Sequence, residues 1–395
     1  MKSVRCLLLL GLWICPMPAV ALAAAETPAL TGVKTQADLD AAITATGDAA
    51  IKAALQAHAA AILAAAEKKP HVDFVIAALD QAPGTYEKIN TTPEALKKAM
   101  GHDAAIFDTL KMVNLSSAAL GIKAKRETDP FDHTFYEHLG KITDLESLTI
   151  LHTTAHNEDL LPVANLTNLK TLNITNQGKL TDEGLAHLAG LKRLERFSFV
   201  GTSMTGKPFK DFEGWTNLKS SSFRGSKIDN EGIKQLCDHF PSLESISLAH
   251  AQFTDAGAVH LAKLKNLKGL ELGLHEATPE SLRNIVQLPL EYLQLGEGVG
   301  TPAGIAIIKD MKTLRRLTIT AAKTMTDADV MLVVGMKQLE HVELGSLEIT
   351  PERIALLKQF DFLKSMRLVR TSNPYTPEVR ASVQAVLPQV KIQFD

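Results

Sequence analysis

Cysteine is nearly absent: there are three in 395 residues, and Cys6 and Cys15 fall within the first 25 positions. A chain trimmed there keeps only Cys237, which excludes an internal disulfide. Aromatic residues make up 5% of the chain, too few for a base-stacking platform or a sugar-stacking cleft to organise it. Neither sign of charge prevails, at 42 basic against 44 acidic residues. A nucleic-acid binder carries a clustered basic excess, so nucleic acid is not expected as a partner. Beyond the N-terminal leader, no apolar run approaches the roughly 20 residues of a membrane span, and no transmembrane anchor is expected. Hydrophobic residues nonetheless reach 45%, enough for a large core and too many for a disordered chain.

Residues 1–25 read as a signal peptide. Lys2 and Arg5 form a positive start, Cys6 to Val20 is largely apolar, and Ala21-Leu22-Ala23 or Ala23-Ala24-Ala25 offers a small-x-small cleavage site. Ile14 precedes Cys15 where a lipoprotein needs a small residue. The expectation is an exported protein of the periplasm or cell exterior, with its fold held by the core and not by disulfides.

What is abundant is leucine in a fixed rhythm. From about residue 142 onward, Leu145-x-x-Leu148-x-Ile150 returns as Leu169-x-x-Leu172-x-Ile174 and Leu194-x-x-Phe197-x-Phe199. Leu218-x-x-Ser221-x-Phe223 is degenerate but keeps register. Leu243, Leu267, Leu290, Leu314, Leu339 and Leu363 open further copies, and Leu387-x-x-Val390-x-Ile392 closes the series. Successive middle positions lie 23 to 25 residues apart.

Leu-x-Leu alternation is a short strand with both apolar side chains on one face. About nine residues after each middle position comes a helix-start signal. It is an apolar residue before Thr181-Asp182, Asp229, Thr254-Asp255 or Thr326-Asp327, or a Thr-Pro pair at 278, 301, 350 and 376. Each unit therefore reads as strand, turn, capped helix, turn. No single unit covers its own apolar face, so units must stack, with a parallel sheet on one side and helices on the other. Helices are wider than strands, about 10 Å against about 4.8 Å, which curves the stack into a horseshoe with the sheet inside.

The chain resembles the leucine-rich-repeat family, particularly bacterial exported members with Thr-Asp-x-Gly-Leu-x-x-Leu repeats. Thr181-Asp182-Glu183-Gly184-Leu185-Ala186-His187-Leu188 carries that motif, and the resemblance spans about 250 residues. It implies an α/β leucine-rich-repeat solenoid that recognises other molecules through varied surfaces.

Residues 26–112 lack the repeat. Leu39, Ile43, Ile51, Leu55 and Ile62 recur at helical spacing, with Gly47 as a break, 72–81 reads as another helix, and Thr92-Pro93-Glu94 carries a cap signal. The organisation expected is a signal peptide at 1–25, an α-helical N-terminal cap at 26–112 and a solenoid of about ten repeats of about 24 residues at 113–395. An independent helical domain with its own partner is the competing reading of 26–112. In residues 113–141, Val113 and Leu115 fit a strand, and 131–139 fits a helix.

The register predicts the open sheet face. Its central column is Thr149, Asn173, Ser198, Ser222, Ser247, Glu271, Gln294, Thr318, Glu343, Arg367 and Lys391. Arg196, Tyr292, Arg316 and His341 fall in the column before it, and Arg224 in the column after. The candidate partner-binding residues are Arg196, Arg224, Glu271, Tyr292, Gln294, Arg316, His341, Glu343 and Arg367, since Tyr and Arg are enriched where interfaces are anchored. A solvated sheet face is the plainer reading of the same columns.

Catalytic, cofactor and metal readings fail on spacing. Gly296-Glu297-Gly298-Val299-Gly300 lacks the third glycine position and the later acid of a dinucleotide loop. Glu271 and Glu343 lie three strands apart, roughly 14 Å, beyond the roughly 9.5 Å of paired glycosidase carboxylates. His152, His250 and His275 lack a completing ligand set, and Cys237 reads as buried filler. The sequence thus points to a non-enzymatic binding or scaffold protein without cofactor or metal. Its expected partner is another protein, with a glycan or cell-wall ligand, or a spacer role in the envelope, as alternatives.

Overall fold

The computed structural model describes residues 30–395 except 83, 117–128, 176–177, 274–275, 297 and 371. The leader lies outside the described residues. The chain divides into two compact units: residues 30–67 with Asn90–Phe107, and Lys68–Ile89 with Asp108–Asp395.

The first unit is helical. Thr35 caps α1 (Gln36–Ala45) in a reciprocal box with Asp38, and Asp48 caps α2 (Ala49–Ala57), so the break falls around Gly47 as the sequence indicates. The first turns of α3 (Ala59–Gln81) and α4 (Glu94–Met100) complete it, burying Leu39, Ile43, Ile51, Leu55 and Ile62 against Leu96, Met100 and Phe107. One expectation fails here. Thr92 does not cap α4: its hydroxyl donates to Asn90 Oδ1 at 2.6 Å, and the residue preceding the helix is Pro93, which has no capping side chain. No single helix among the described residues is long and apolar enough to cross a membrane.

The second unit is built on one sheet of thirteen strands in sequence order. The first five are β1 (Gly84–Asn90), β2 (Asp108–Ser116), β3 (Ser147–Leu151), β4 (Thr171–Thr175) and β5 (Arg196–Val200). β6 (Ser220–Ser222), β7 (Ser245–Ser247), β8 (Gly269–Leu272) and β9 (Tyr292–Leu295) follow. β10 (Arg316–Ile319), β11 (His341–Gly345), β12 (Ser365–Val369) and β13 (Lys391–Phe394) complete it. Every neighbouring pair from β2 to β13 is parallel.

The register lines up one internal row: Leu148, Leu172, Phe197, Ser221, Ile246, Leu270, Leu293, Leu317, Val342 and Met366. All are buried, as is the companion row two residues on. Each leucine so buried contributes about 1.5–3 kcal/mol, which makes the stack of rows the main stabilising term. Around the degenerate repeat that carries Ser221, the rings of Phe197, Phe209, Phe212, Trp215, Phe223 and Phe240 pack on one another in edge-to-face and tilted pairs.

On the other side of the core, the eight expected cap residues all accept from helical backbone N–H groups. Thr181, Asp229, Thr254, Thr278, Thr301, Thr326, Thr350 and Thr376 stand at the start of their helices. These helices are short, four to ten residues, and the one at Pro279–Asn284 is 3₁₀, because about 24 residues per repeat leave little room between strands. The motif glycine has a packing reason. A Cβ on Gly232, in the helix Asn230–His239, would collide with the Thr205 carbonyl, and one on Gly304, in the helix Pro302–Ile308, with that of Val299.

Two departures from the sequence reading matter. β1 lies within the segment read as helical. The closing repeat also pairs two residues later than read, with Met366 opposite Ile392 and Arg367 opposite Gln393. The two extra residues precede its helix: the Thr376 cap follows Met366 by 10 residues where Thr350 follows Val342 by 8, while each cap stands 16 residues before the next row position. Lys391 therefore leaves the central column and joins Ser365 in the column before it.

Candidate binding surface

Every other side chain of each strand points away from the core, and these side chains form the open face. Its first half, β3 to β7, carries Thr149, Asn173, Ser198, Ser222 and Ser247 in the central column. These are short groups suited to cross-strand hydrogen bonding. Arg196 begins β5 and Arg224 follows β6; both are exposed, and they stand strands away from the other candidates. They belong to no shared cluster.

The other seven candidates come together on β8 to β12. Ser247 Oγ donates to Glu271 Oε2 at 2.7 Å, and the Tyr292 hydroxyl donates to Gln294 Oε1 at 3.0 Å. Burial, reinforced by the Glu271 carboxylate, pushes the Tyr292 phenol up to about 12. His341 Nδ1 lies 2.7 Å from Ser365 Oγ, and partial burial with Arg316 beside it holds the imidazole below its ordinary value. Arg367 pairs with Glu343 at 3.1 Å and also with Asp395, which lowers the Asp395 carboxyl. Glu271 and Glu343 stand on β8 and β11, the three-strand separation read from the sequence.

A shallow depression of about 310 Å³ opens over β10 to β13, lined by Arg316, Thr318, His341, Glu343, Arg367 and Lys391 among others. Beneath it the sheet is sealed by Val342 and Met366, so a ligand there would rest on the surface.

One feature escaped the sequence reading. The residue just before each strand's first face position alternates in sign: Lys111, Glu146, Lys170, Glu195, Lys219, Glu244, Lys268, Glu291, Arg315, Glu340, Lys364. Each donates its backbone N–H to the carbonyl of the one before, so the charges stack directly. Glu146 meets Lys170 at 3.0 Å, and Glu244 meets both Lys219 and Lys268 at 3.2 Å. The alternation is plain once residues are counted back from the middle leucine. Since neighbouring rungs compensate one another, this rim offers little net charge to a partner.

The rejected motifs also have structural roles. His152 and His250 take left-handed backbone at φ 52° and 62°, at the same turn position after their strands as Gly201 and Gly225. His275 and Glu297 lie outside the described residues. Around the glycine-rich loop, Gly296 packs against the Gly273 backbone, and a Cβ on Gly300 would meet the Gly296 carbonyl. Cys237 is buried, and desolvation pushes its thiol up to about 12.

No protein-family model matches the chain, and no curated protein matches its sequence. Among solved structures, a crystal structure of an internalin from Listeria monocytogenes is similar at 17% identity. The match covers 70% of this chain and 93% of that one, with a TM-score of 0.36. The strand register itself carries the architecture. The fold is a leucine-rich-repeat α/β solenoid. In such a solenoid the sheet face is an extended polar surface over a sealed core, a form suited to recognition.

Proposed function

We propose that this is an exported, non-enzymatic binding protein of the bacterial envelope or exterior that engages another protein through the open face of β8 to β12. The observation that carries this reading is the gathering of Glu271, Tyr292, Gln294, Arg316, His341, Glu343 and Arg367 on adjacent strands, against the bland hydroxyl columns of β3 to β7. Tyr and Arg combine wide contact area with directed hydrogen bonds, which is why they anchor interfaces. The paired charges on this face favour geometric fit over simple charge attraction. Export rests on the Lys2–Arg5 start, the apolar run and the alanine-rich cleavage site.

Immobilised wild-type protein exposed to an envelope extract should retain a partner that the Tyr292→Ala, Arg316→Ala double variant loses. Retention by both would place recognition elsewhere, and binding of glycans alone would replace the protein partner by a cell-wall ligand. N-terminal sequencing of the protein from fractionated cells should read from Ala24 or Glu26. A chain starting at Met1 would remove the export reading.

A further inference from the structure

Two cations at the C-terminal end of the open face are uncompensated. Arg316 on β10 and Lys391 on β13 are exposed, and among the described residues neither side chain has a hydrogen-bonding or ionic partner. The register puts them in one column, Arg316–His341–Ser365–Lys391, along one side of the 310 Å³ depression. The other two charged groups of that depression, Glu343 and Arg367, pair with each other, and Arg367 also pairs with Asp395. The depression thus presents two cations without an ionic partner, while each of its neighbouring carboxylates, Glu343 and Asp395, is paired with Arg367.

Resting on the reading of this face as a protein-binding surface, we propose that the Arg316–Lys391 column binds an extended acidic segment of the partner, laid across the strands. Three strand spacings separate the two cations, roughly 14 Å at about 4.8 Å each. An extended chain rises about 3.4 Å per residue and repeats its side-chain direction every second residue. Carboxylates four residues apart therefore fall about 14 Å apart on the same side, one for each cation. His341 and Ser365 lie between them, a polar floor for the intervening residues. A polyanion with a charge on every unit fits poorly, because its central charges would sit over the Glu343 carboxylate. An acidic peptide of spaced carboxylates avoids that repulsion, which favours it over a sulfated glycan or a nucleic acid.

The test uses the full chain and a synthetic Glu-Gly-Ser-Gly-Glu peptide carrying a diazirine, with adducts mapped by mass spectrometry. Labelling should concentrate on β10 to β13 and disappear when both glutamates are replaced by glutamine. Arg316→Gln and Lys391→Gln should each cut it about tenfold, the scale of one charge-assisted contact. Lys309→Gln, at an exposed position on the helical side, should leave it unchanged. Equal labelling by the glutamine peptide, adducts scattered over the molecule, or more effective competition by a sulfated oligosaccharide would overturn the site. If these adducts fail while the face still retains a protein in the Tyr292/Arg316 experiment, the acidic site alone falls. Failure of both removes the protein-binding reading as well.

Discussion

Ser221 occupies a row in which every neighbouring repeat carries an apolar residue, and its hydroxyl is buried without a hydrogen-bond partner. A buried unpaired hydroxyl costs on the order of 1 kcal/mol or more. Ser221→Ala should therefore raise unfolding stability by about 1 kcal/mol in a urea titration, and a loss of stability would mean that the hydroxyl is held by something else. Tyr292 is a second residue with a measurable signature. Its folded value, about 12, lies above the ordinary 10, so the folded state holds the phenolic proton more tightly. That contribution is complete below about pH 10 and is lost as pH rises towards 12, where ultraviolet titration should show one fewer late-ionising tyrosine in Tyr292→Phe than in the wild type. The Cys237 thiol, likewise raised to about 12, should resist alkylation in the native protein at mild alkaline pH and react only on unfolding. At this scale the sequence was legible wherever the repeat was regular. Val390 and Ile392 satisfied the pattern two residues early, and only the pairing of Ile392 with Met366 showed where Lys391 belongs.

Each element's beginning was readable because cap chemistry is local: a hydroxyl or carboxylate that accepts free helical N–H groups identifies itself by position. Thr301→Ala should cost about 1 kcal/mol for that reason, measured as a shift in denaturation midpoint. The same signal misled at Thr92, where an Asn90 side chain two residues away competes for the hydroxyl. Glycines were readable as a motif without a cause. The cause at Gly232 lies in the preceding repeat, whose Thr205 carbonyl fills the space a side chain there would need. The alternating rim is also an element-scale device. Salt-linked neighbours hold the Glu244 carboxyl below its usual range, so its contribution is present above that range and fades as pH falls through the lowered value. Glu244→Lys would place three lysines in succession, and should lower the melting temperature more at low salt than at high salt. An equal drop at both would mean the ladder does not act electrostatically.

In the second unit, periodicity specified the sheet and its register from β3 to β12 before any coordinates, because stacking is what buries the leucine rows. β1 was missed because Gly84–Asn90 alternates in burial only weakly and carries no leucine signature. The candidate surface was half legible: the register brings Glu271 to Arg367 together on adjacent strands, while Arg196 and Arg224 stand apart. The Glu343–Arg367 pair follows from their adjacent strands, whereas the second partner of Arg367, Asp395, showed only in the side-chain positions.

The most direct measurement is to mask one face at a time. Polyethylene glycol attached at Gln294→Cys covers the open face, and the same polymer at Lys309→Cys covers the helical side, with buried Cys237 left unlabelled. Partner retention should be abolished by the first and preserved by the second. Retention preserved at position 294 and lost at 309 would contradict the sheet face as the recognition surface.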